Sequence, residues 1–397
     1  MLLRVALAQF LGLTLWFSAT AAAPAITREF ALTSGASAWL TMAVQAGFVI
    51  GTLCSALLNL PDVINARRLF AAGCVAGAIS NAAIPFAPDP TTIILLRLTT
   101  GIALACVYPP GLKIAAGWFL DRRGLALGVV VGALTLGAAF PHLLAFVAHD
   151  VPWRGLMWIS SILALVGGLV VAVWVADGPY VSASAPFDPG AVGLVLRSRG
   201  ARLALLGYLG HMWELYAMWT WIPAFAAAWL AAASGAAPRL GSLVAFIAIA
   251  SGAVGCVLAG RWADTYGKAR VAGLAMLVSG ACAAGSGVLF GTPMPVLLAL
   301  AVVWGFAVVA DSAQFTALIS EYSPRTHVGT AVTVQVCAGF LLTMASMWLL
   351  PAIAERAGWQ WAFLLLVPGP LLGAVAMAGF RRMGAPPASR HPPQPQP

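Results

Sequence analysis

The chain has 397 residues, of which 61% are hydrophobic and only 8% charged, with a formal net charge of +9 and a mean hydropathy of +0.93. Soluble domains carry about a quarter charged residues, so this composition excludes an ordinary water-soluble protein. The positive charge lies in short loops between apolar runs and forms no basic domain or arm, which argues against a nucleic-acid partner.

Runs near the ~20 residues that a bilayer-crossing helix needs recur along the whole chain. Their cores fall at 4–24, 36–60, 69–87, 91–117, 125–147, 156–176, 203–230, 240–260, 270–290, 294–318, 328–350 and 361–380. The run beginning at Arg4 also has the look of a secretory leader, and is read here as the first span because its removal would leave an odd count. Short Pro- and Gly-containing breaks such as Ala87–Pro90 and Gly291–Pro293 separate the spans. The longest polar connection sets the domain limits: a six-span half over 1–176, a linker over 177–202, a second half over 203–382, and a Pro-rich tail over 383–397 expected to be disordered. Fifteen Lys and Arg residues fall on one side of this arrangement and four on the other, with Arg97 and Lys113 inside spans. By the positive-inside rule both termini are cytoplasmic, in a multi-pass protein of a bacterial inner (plasma) membrane. The six cysteines sit in apolar runs without a C-x-x-C pair and read as packing residues, with no metal site.

Between the eighth and ninth spans lies Gly260–Arg270, GRWADTYGKAR, read as a polar turn with Asp264 capping the next helix. A degenerate copy, NLPDVINARR, occupies Asn59–Arg68 between the second and third spans. The pattern G-x-x-x-D-x-x-G-x-x-R resembles the loop signature of the major facilitator superfamily. That resemblance implies an all-α membrane protein of twelve helices in two pseudo-symmetric six-helix halves, working by alternating access. It also implies a gating role at the inner face for Asp62, Arg67, Arg68, Gly260, Asp264, Gly267, Lys268 and Arg270.

An ionisable side chain at membrane depth costs at least ~2.5–3.5 kcal/mol, so each one asks for a function. Glu214 is about eleven residues into the seventh span, with His211 and Met218 on the same helical face and a crowd of aromatic rings around it. It is either a proton carrier beside a binding wall or a structural hydrogen bond to a neighbouring helix, with Trp219 and Trp221 then part of an interfacial belt. Asp311 and Gln314 lie in the tenth span, opposite in the repeat to Tyr108-Pro109-Pro110-Gly111, whose prolines should interrupt the fourth helix. Asp311 is either a site residue or a charge paired within one half for packing, and the prolines either free carbonyls toward a cavity or form a packing kink. Arg97 begins Arg97-Leu98-Thr99-Thr100-Gly101, similar to a second superfamily motif tied to proton coupling, with snorkelling as the alternative. Lys113 reads as a snorkelling residue. Gly128, Gly132, Gly137 and Pro141 before His142 partly resemble the antiporter motif of helix 5, with close packing of small residues as the plainer reading. Trp16 and Tyr108 complete the expected substrate and proton site of Glu214, His211, Asp311, Arg97, Met218 and Gln314.

No phosphate-binding G-x-x-x-x-G-K-[ST] loop, HExxH or G-x-S-x-G elbow occurs, so neither an enzyme nor direct ATP drive is indicated. The reading is a monomeric secondary transporter without a cofactor, moving a small organic anion or zwitterion, coupled to protons. The general character resembles small-anion porters, including those for nitrate; however, the second and eighth spans lack interior arginines, which argues against nitrate. Proton-driven export of amphipathic compounds, and a non-transporting sensor with the same fold, are the alternatives.

Overall fold

In a computed structural model, residues 1–119, 123–180, 187–235 and 239–383 are described, and they contain helices, turns and no strand. Asp121, Arg122, Arg390 and the tail beyond Met383 lie outside the described residues, as does 181–186 of the linker. Eleven helices are long and apolar enough to cross a membrane, preceded by the shorter apolar helix Leu2–Leu13. We number them in chain order. Helix 1 comprises Leu2–Leu13, Ser18–Ala21 and Ala23–Phe30. Helices 2 to 6 are Ser34–Leu57, Ala66–Phe86, Pro90–Ala116, Gly124–Val147 and Trp153–Trp174. Helices 7 to 12 are Arg199–Ala233, Leu240–Tyr266, Lys268–Val288, Met294–Tyr322, Val328–Ala357 and Trp359–Arg381. The protein is an all-α membrane protein of twelve spans, and an even number of crossings puts the start of helix 1 and the end of helix 12 on one face.

Helix 12 is interrupted by a 3-10 turn over Phe363–Leu366, and three other spans are broken where they bear on the site. Helix 4 stops at Ala105 and restarts at Tyr108, with Pro109 and Pro110 in the new first turn. Proline is tolerated there because first-turn N–H groups have no intrahelical partner. Helix 10 stops at Ala310 and restarts at Ser312, with Asp311 at the joint. Helix 1 breaks over Thr14–Phe17, where the Trp16 amide turns back to the Leu13 carbonyl (3.1 Å). The sequence expectation of one unbroken run at 4–24 is corrected here: no proline or glycine marks the break, and the span continues to Phe30.

The ends of helix 8 also correct the reading of the signature as a turn. The helix runs through Arg261-Trp262-Ala263-Asp264 to Tyr266, and the following helix starts from Gly267, which caps it without a side chain. Gly267 has φ 88°, a conformation open to glycine. Asp264 is therefore free to face the other half: a Cβ added to Gly124, at the start of helix 5, would lie 4.0 Å from its Oδ1.

Close approach of backbones sets the packing inside and between the halves. A Cβ on Gly47 of helix 2 would meet the Leu98 carbonyl of helix 4 at 2.0 Å. On helix 5, Gly128 and Gly132 face the Cys256 and Ala253 carbonyls of helix 8 at 3.4 and 3.1 Å by the same measure. The two halves thus meet backbone to backbone along helices 5 and 8, as small residues allow in membranes. The linker is anchored at both ends. Tyr180 N–H donates to the Gly117 carbonyl (2.9 Å) of the first half, and Ser198 Oγ to the Tyr322 carbonyl (2.7 Å) of the second.

Candidate functional site

The break in helix 1 supplies the first element of the site. It aims Trp16 and Phe17 at the junction between the halves, where they join Phe48 of helix 2, Tyr108 of helix 4, Tyr216 and Trp219 of helix 7, and Phe340 of helix 11. Trp16 lies 5.0 Å from Phe48, 5.8 Å from Tyr216 and 5.7 Å from Phe340, centroid to centroid. Phe17 stacks on Tyr216 (6.3 Å, 4°) and meets Trp219 edge-on (5.8 Å). Phe48 closes the ring against Phe340 (4.7 Å) and Tyr108 (6.3 Å). His142 of helix 5 borders it, 6.1 Å from Phe17. Offset and edge-on ring pairs of this kind add about 0.5–1.5 kcal/mol each beyond their burial, so the cluster ties the halves together at this depth.

Arg97 explains how the helix 1 break is held. It is fully buried, and its Nε donates to the Leu40 carbonyl (3.0 Å). Nη1 donates to the Leu15 carbonyl (2.9 Å) and Ser18 Oγ (3.2 Å), and Nη2 to the Trp16 carbonyl (2.5 Å). The carbonyls freed by the break are therefore paired to a guanidinium. Snorkelling is excluded by that geometry, and among the described residues no carboxylate pairs with it.

The two buried acids of the described residues lie in the second half. Asp311, at the break in helix 10, has its Oδ1 2.8 Å from His211 Nδ1 of helix 7, with the two side chains 2% and 1% exposed. Tyr208 and Phe315 flank the imidazole at 5.9 and 5.7 Å. Glu214, one turn beyond His211, faces another way. Its Oε2 accepts from Ser279 Oγ of helix 9 (2.8 Å) and its Oε1 from Trp304 Nε1 of helix 10 (2.7 Å). The structure thus joins His211 to Asp311 and leaves Glu214 outside that pair. Met218 is buried on helix 7, and Gln314 is buried one turn past the helix 10 break. Trp219 belongs to the central ring cluster and so does not stand in an interfacial belt, whereas Trp221 donates to the Met347 carbonyl (3.0 Å) and packs on Trp359 at the start of helix 12 (5.9 Å).

At the face that carries the termini, Lys113 is ion-paired to Asp62 and donates to the Pro61 carbonyl (2.7 Å), which replaces the snorkelling expected of it. Arg67 clasps Asp177 at the end of helix 6 (2.8 Å), and those bonds hold the Asp177 carboxyl below the usual carboxylate range. Lys268 pairs with Glu321 (2.6 Å). Arg68 and Arg270 are exposed, and Gly260 faces Gly124. At the opposite face, Arg154 and Trp153 hold Glu29 of helix 1, with the Trp153 indole at 2.7 Å.

The model of the Major Facilitator Superfamily matches residues 5–232 and 214–397, which together span 5–397. The chain belongs to this superfamily. Among solved structures, that of a mutant of the nucleoside transporter NupG superposes with a TM-score of 0.73 at 15% identity, covering 96% of this chain and 99% of that one. Such a likeness shows the shared fold. The puromycin resistance protein pur8 of Streptomyces alboniger is 28% identical over 148 residues, 36% of this chain and 29% of that protein. The 3-(3-hydroxy-phenyl)propionate transporter of Escherichia coli (strain K12) is 24% identical over 206 residues, 51% of this chain and 50% of that protein. The chain thus matches half or less of the length of these curated relatives.

As a member of the Major Facilitator Superfamily the protein is a multi-pass membrane transporter and not an enzyme. Within it, sequence reasoning missed Phe17, Phe48, Phe340 and Gln45, and read His142 only beside the helix 5 motif, outside the expected site. Phe48 and Phe340 look like any lipid-facing phenylalanine in an apolar run. Two buried glutamines, Gln45 and Gln335, were the available signal, since an amide in a transmembrane helix needs a partner.

Proposed function

We propose that this transporter moves a small aromatic solute between its two halves by alternating access, coupled to protons. The observation that carries the reading is the ring cluster of Trp16, Phe17, Phe48, Tyr216, Trp219 and Phe340, drawn from both halves and interspersed with polar atoms that have no partner in the described protein. Helices 1, 2, 7 and 11 must separate for either face to open, so a solute held there is handed across by that movement. The His211–Asp311 pair supports proton coupling, because a carboxylate and an imidazole 2.8 Å apart at the joint of a broken helix exchange a proton with little motion. Glu214, with both oxygens satisfied by Ser279 and Trp304, anchors helix 7 to helices 9 and 10. The basic loops favour cytoplasmic termini in a bacterial inner (plasma) membrane. The unit of function is a monomer.

The test is reconstitution in liposomes with an internal pH dye. Aromatic monocarboxylates, aromatic alcohols and lipophilic cations are added in turn, with wild type, Asp311→Asn and Glu214→Gln. Solute-dependent proton flux that disappears in Asp311→Asn is the expected result. Flux dependent on Glu214 alone would move the proton site, and silence toward every aromatic probe would refute the reading. Export is a second direction, favoured by the partial helix 5 motif and by the resistance protein among the relatives; outward-facing and inward-facing vesicles separate it from uptake.

A further inference from the structure

The polar atoms around the ring cluster share a chemical bias. Trp16 Nε1 and Trp219 Nε1 are buried donors with no partner among the described residues, and an indole N–H cannot accept. Gln45, one turn before Phe48 on helix 2, has both amide atoms unpartnered and is fully buried. His142 is fully buried with neither ring nitrogen partnered. No carboxylate of the described residues has a ring contact or bond to the cluster: Asp311 Oδ1 lies 2.8 Å from His211 Nδ1, in ion-pair contact without a hydrogen bond, and Glu214 accepts from Ser279 and Trp304. An ammonium group brought here would face indole donors and find no acid. A carboxylate accepts only, and it would find two indole donors, an amide and an imidazole.

We infer that the solute is an aromatic monocarboxylate, its ring among Trp16, Phe48, Tyr216 and Phe340, and that His142 takes up a proton as the carboxylate binds. This rests on the transport reading above and goes beyond it by giving the solute a charge and a partner. A buried carboxylate without a counter-charge is costly, whereas one paired with a protonated imidazole adds no net charge to the membrane interior. Arg97 does not serve as that counter-charge, because its donors are held by the Leu15, Trp16 and Leu40 carbonyls.

The charged and titratable groups on the elements packed against helix 5 leave His142 this role. The Ser18–Ala21 segment of helix 1 carries none, and Arg4 stands at the far end of the same span. Helix 4 brings Tyr108, and Lys113 near the terminal face. Helix 6 brings Arg154 at the opposite face. Helix 8 brings Cys256 in its interior, Arg261, Asp264 and Tyr266 near one end, and Arg239 at the other, where Arg239 meets His149 (3.3 Å). Helix 10 brings Asp311 at its joint, 2.8 Å from His211, and Glu321 and Tyr322 at the terminal face. None is bonded to the His142 ring.

The experiment is calorimetric titration of the full chain in lipid nanodiscs with 3-phenylpropionate, 3-phenylpropanol and benzyltrimethylammonium. Each is run in two buffers of different ionisation enthalpy, which counts the protons bound. Expected is binding of the acid about tenfold or more tighter than the alcohol near pH 6, with uptake of about one proton. In His142→Gln that uptake should vanish and the acid should fall to the affinity of the alcohol. Equal affinity of acid and alcohol, tighter binding of the cation, or proton uptake unchanged in His142→Gln would each overturn the inference while leaving an aromatic site in place. Failure of all three probes to bind would overturn the transport reading itself. Should His142→Gln not fold, wild type decides alone: the acid must lose its advantage over the alcohol between about pH 5.5 and pH 8.

Discussion

Replacing Arg97 by methionine removes one cation and, with it, the donors that hold the helix 1 break. Three backbone carbonyls, of Leu15, Trp16 and Leu40, lose that donor, as do Ser18 Oγ and the Asn81 amide oxygen, the last at 3.4 Å. Leaving a buried acceptor unpaired costs about 1–3 kcal/mol in soluble proteins, while polar pairs between membrane helices average only ~0.6 and reach ~1.7 kcal/mol. Counting the three carbonyls alone at the membrane values gives about 2–5 kcal/mol. Relief of the buried charge works in the opposite direction; the Leu15 carbonyl keeps Ser18 Oγ (3.0 Å) and the Leu40 carbonyl its own helix, which places the loss mainly at the Trp16 carbonyl and toward the lower end of that range. We expect Arg97→Met to lower the unfolding free energy by that amount in a denaturant titration, and to shift tryptophan emission as Trp16 leaves its stack. Arg97→Lys keeps the charge without the planar fork and should lose less. A methionine variant as stable as wild type with unchanged emission would refute the reasoning.

Three further outcomes follow from other parts of the molecule. With a pH gradient imposed on liposomes, one unit can drive about tenfold accumulation per coupled proton; Asp311→Asn should bring the ratio to about one while leaving solute exchange, and accumulation that persists would remove the His211–Asp311 pair from coupling. Gly132→Leu should leave the helical circular dichroism intact and reduce flux severely, because a side chain there meets the Ala253 carbonyl from 3.1 Å outward and wedges helix 5 from helix 8; normal flux would mean that the seam yields. Bonds from Arg67 lower the Asp177 carboxyl pKa in the folded protein, so their stabilisation is present above the unfolded value of about 3.9 and is lost as pH falls through the lower folded value. Asp177 is 44% exposed, which limits this to at most ~1 kcal/mol; melting of wild type and Asp177→Asn should therefore differ slightly at neutral pH and converge in acid.

Apolar run length made the helices legible, because the bilayer imposes it on every span alike. The break before Tyr108 was legible for the same kind of reason: Pro109 and Pro110 cannot continue a hydrogen-bond ladder. The break at Thr14–Phe17 was not, since Leu-Thr-Leu-Trp-Phe-Ser contains no residue that forbids helix. It exists because Arg97, far along the chain on helix 4, accepts the cost of burial in return for carbonyls, and such a pairing leaves no local trace. Depth arguments identified Glu214, His211 and Asp311 as buried ionisable groups, but depth says nothing about direction. Only the rotational setting of helix 7 separates His211, turned to helix 10, from Glu214, turned to helix 9 and Trp304. The signature between helices 8 and 9 was readable as residues and misread as a turn, because Gly267 supplies the conformation that ends one helix and starts the next.

Pseudo-symmetry of the backbone has not carried the chemistry with it. The restart of helix 4 at Tyr108 and that of helix 10 at Ser312 lie 204 positions apart (312 − 108), at equivalent places in the two halves. In the first half the buried charge near this level is a cation, Arg97, paired only to neutral oxygens. In the second the buried charges are two acids, Asp311 and Glu214, with an imidazole as the basic group. A guanidinium keeps its proton at any pH a cell meets, so Arg97 can hold geometry but cannot cycle. Carboxylates and imidazoles can do both. On the proposed reading Arg97 is therefore the fixed element, its helix 1 break locked so that Trp16 and Phe17 stay presented, while protons load and leave at His142 with the solute and at His211 and Asp311 on the second half. Exchanging the roles is a strong check: an acid placed at Arg97 would unlock helix 1 without creating a second coupled site. Arg97→Glu should lose binding of every aromatic probe together, with no new proton flux, and a proton leak gained in that variant would contradict this division between the halves.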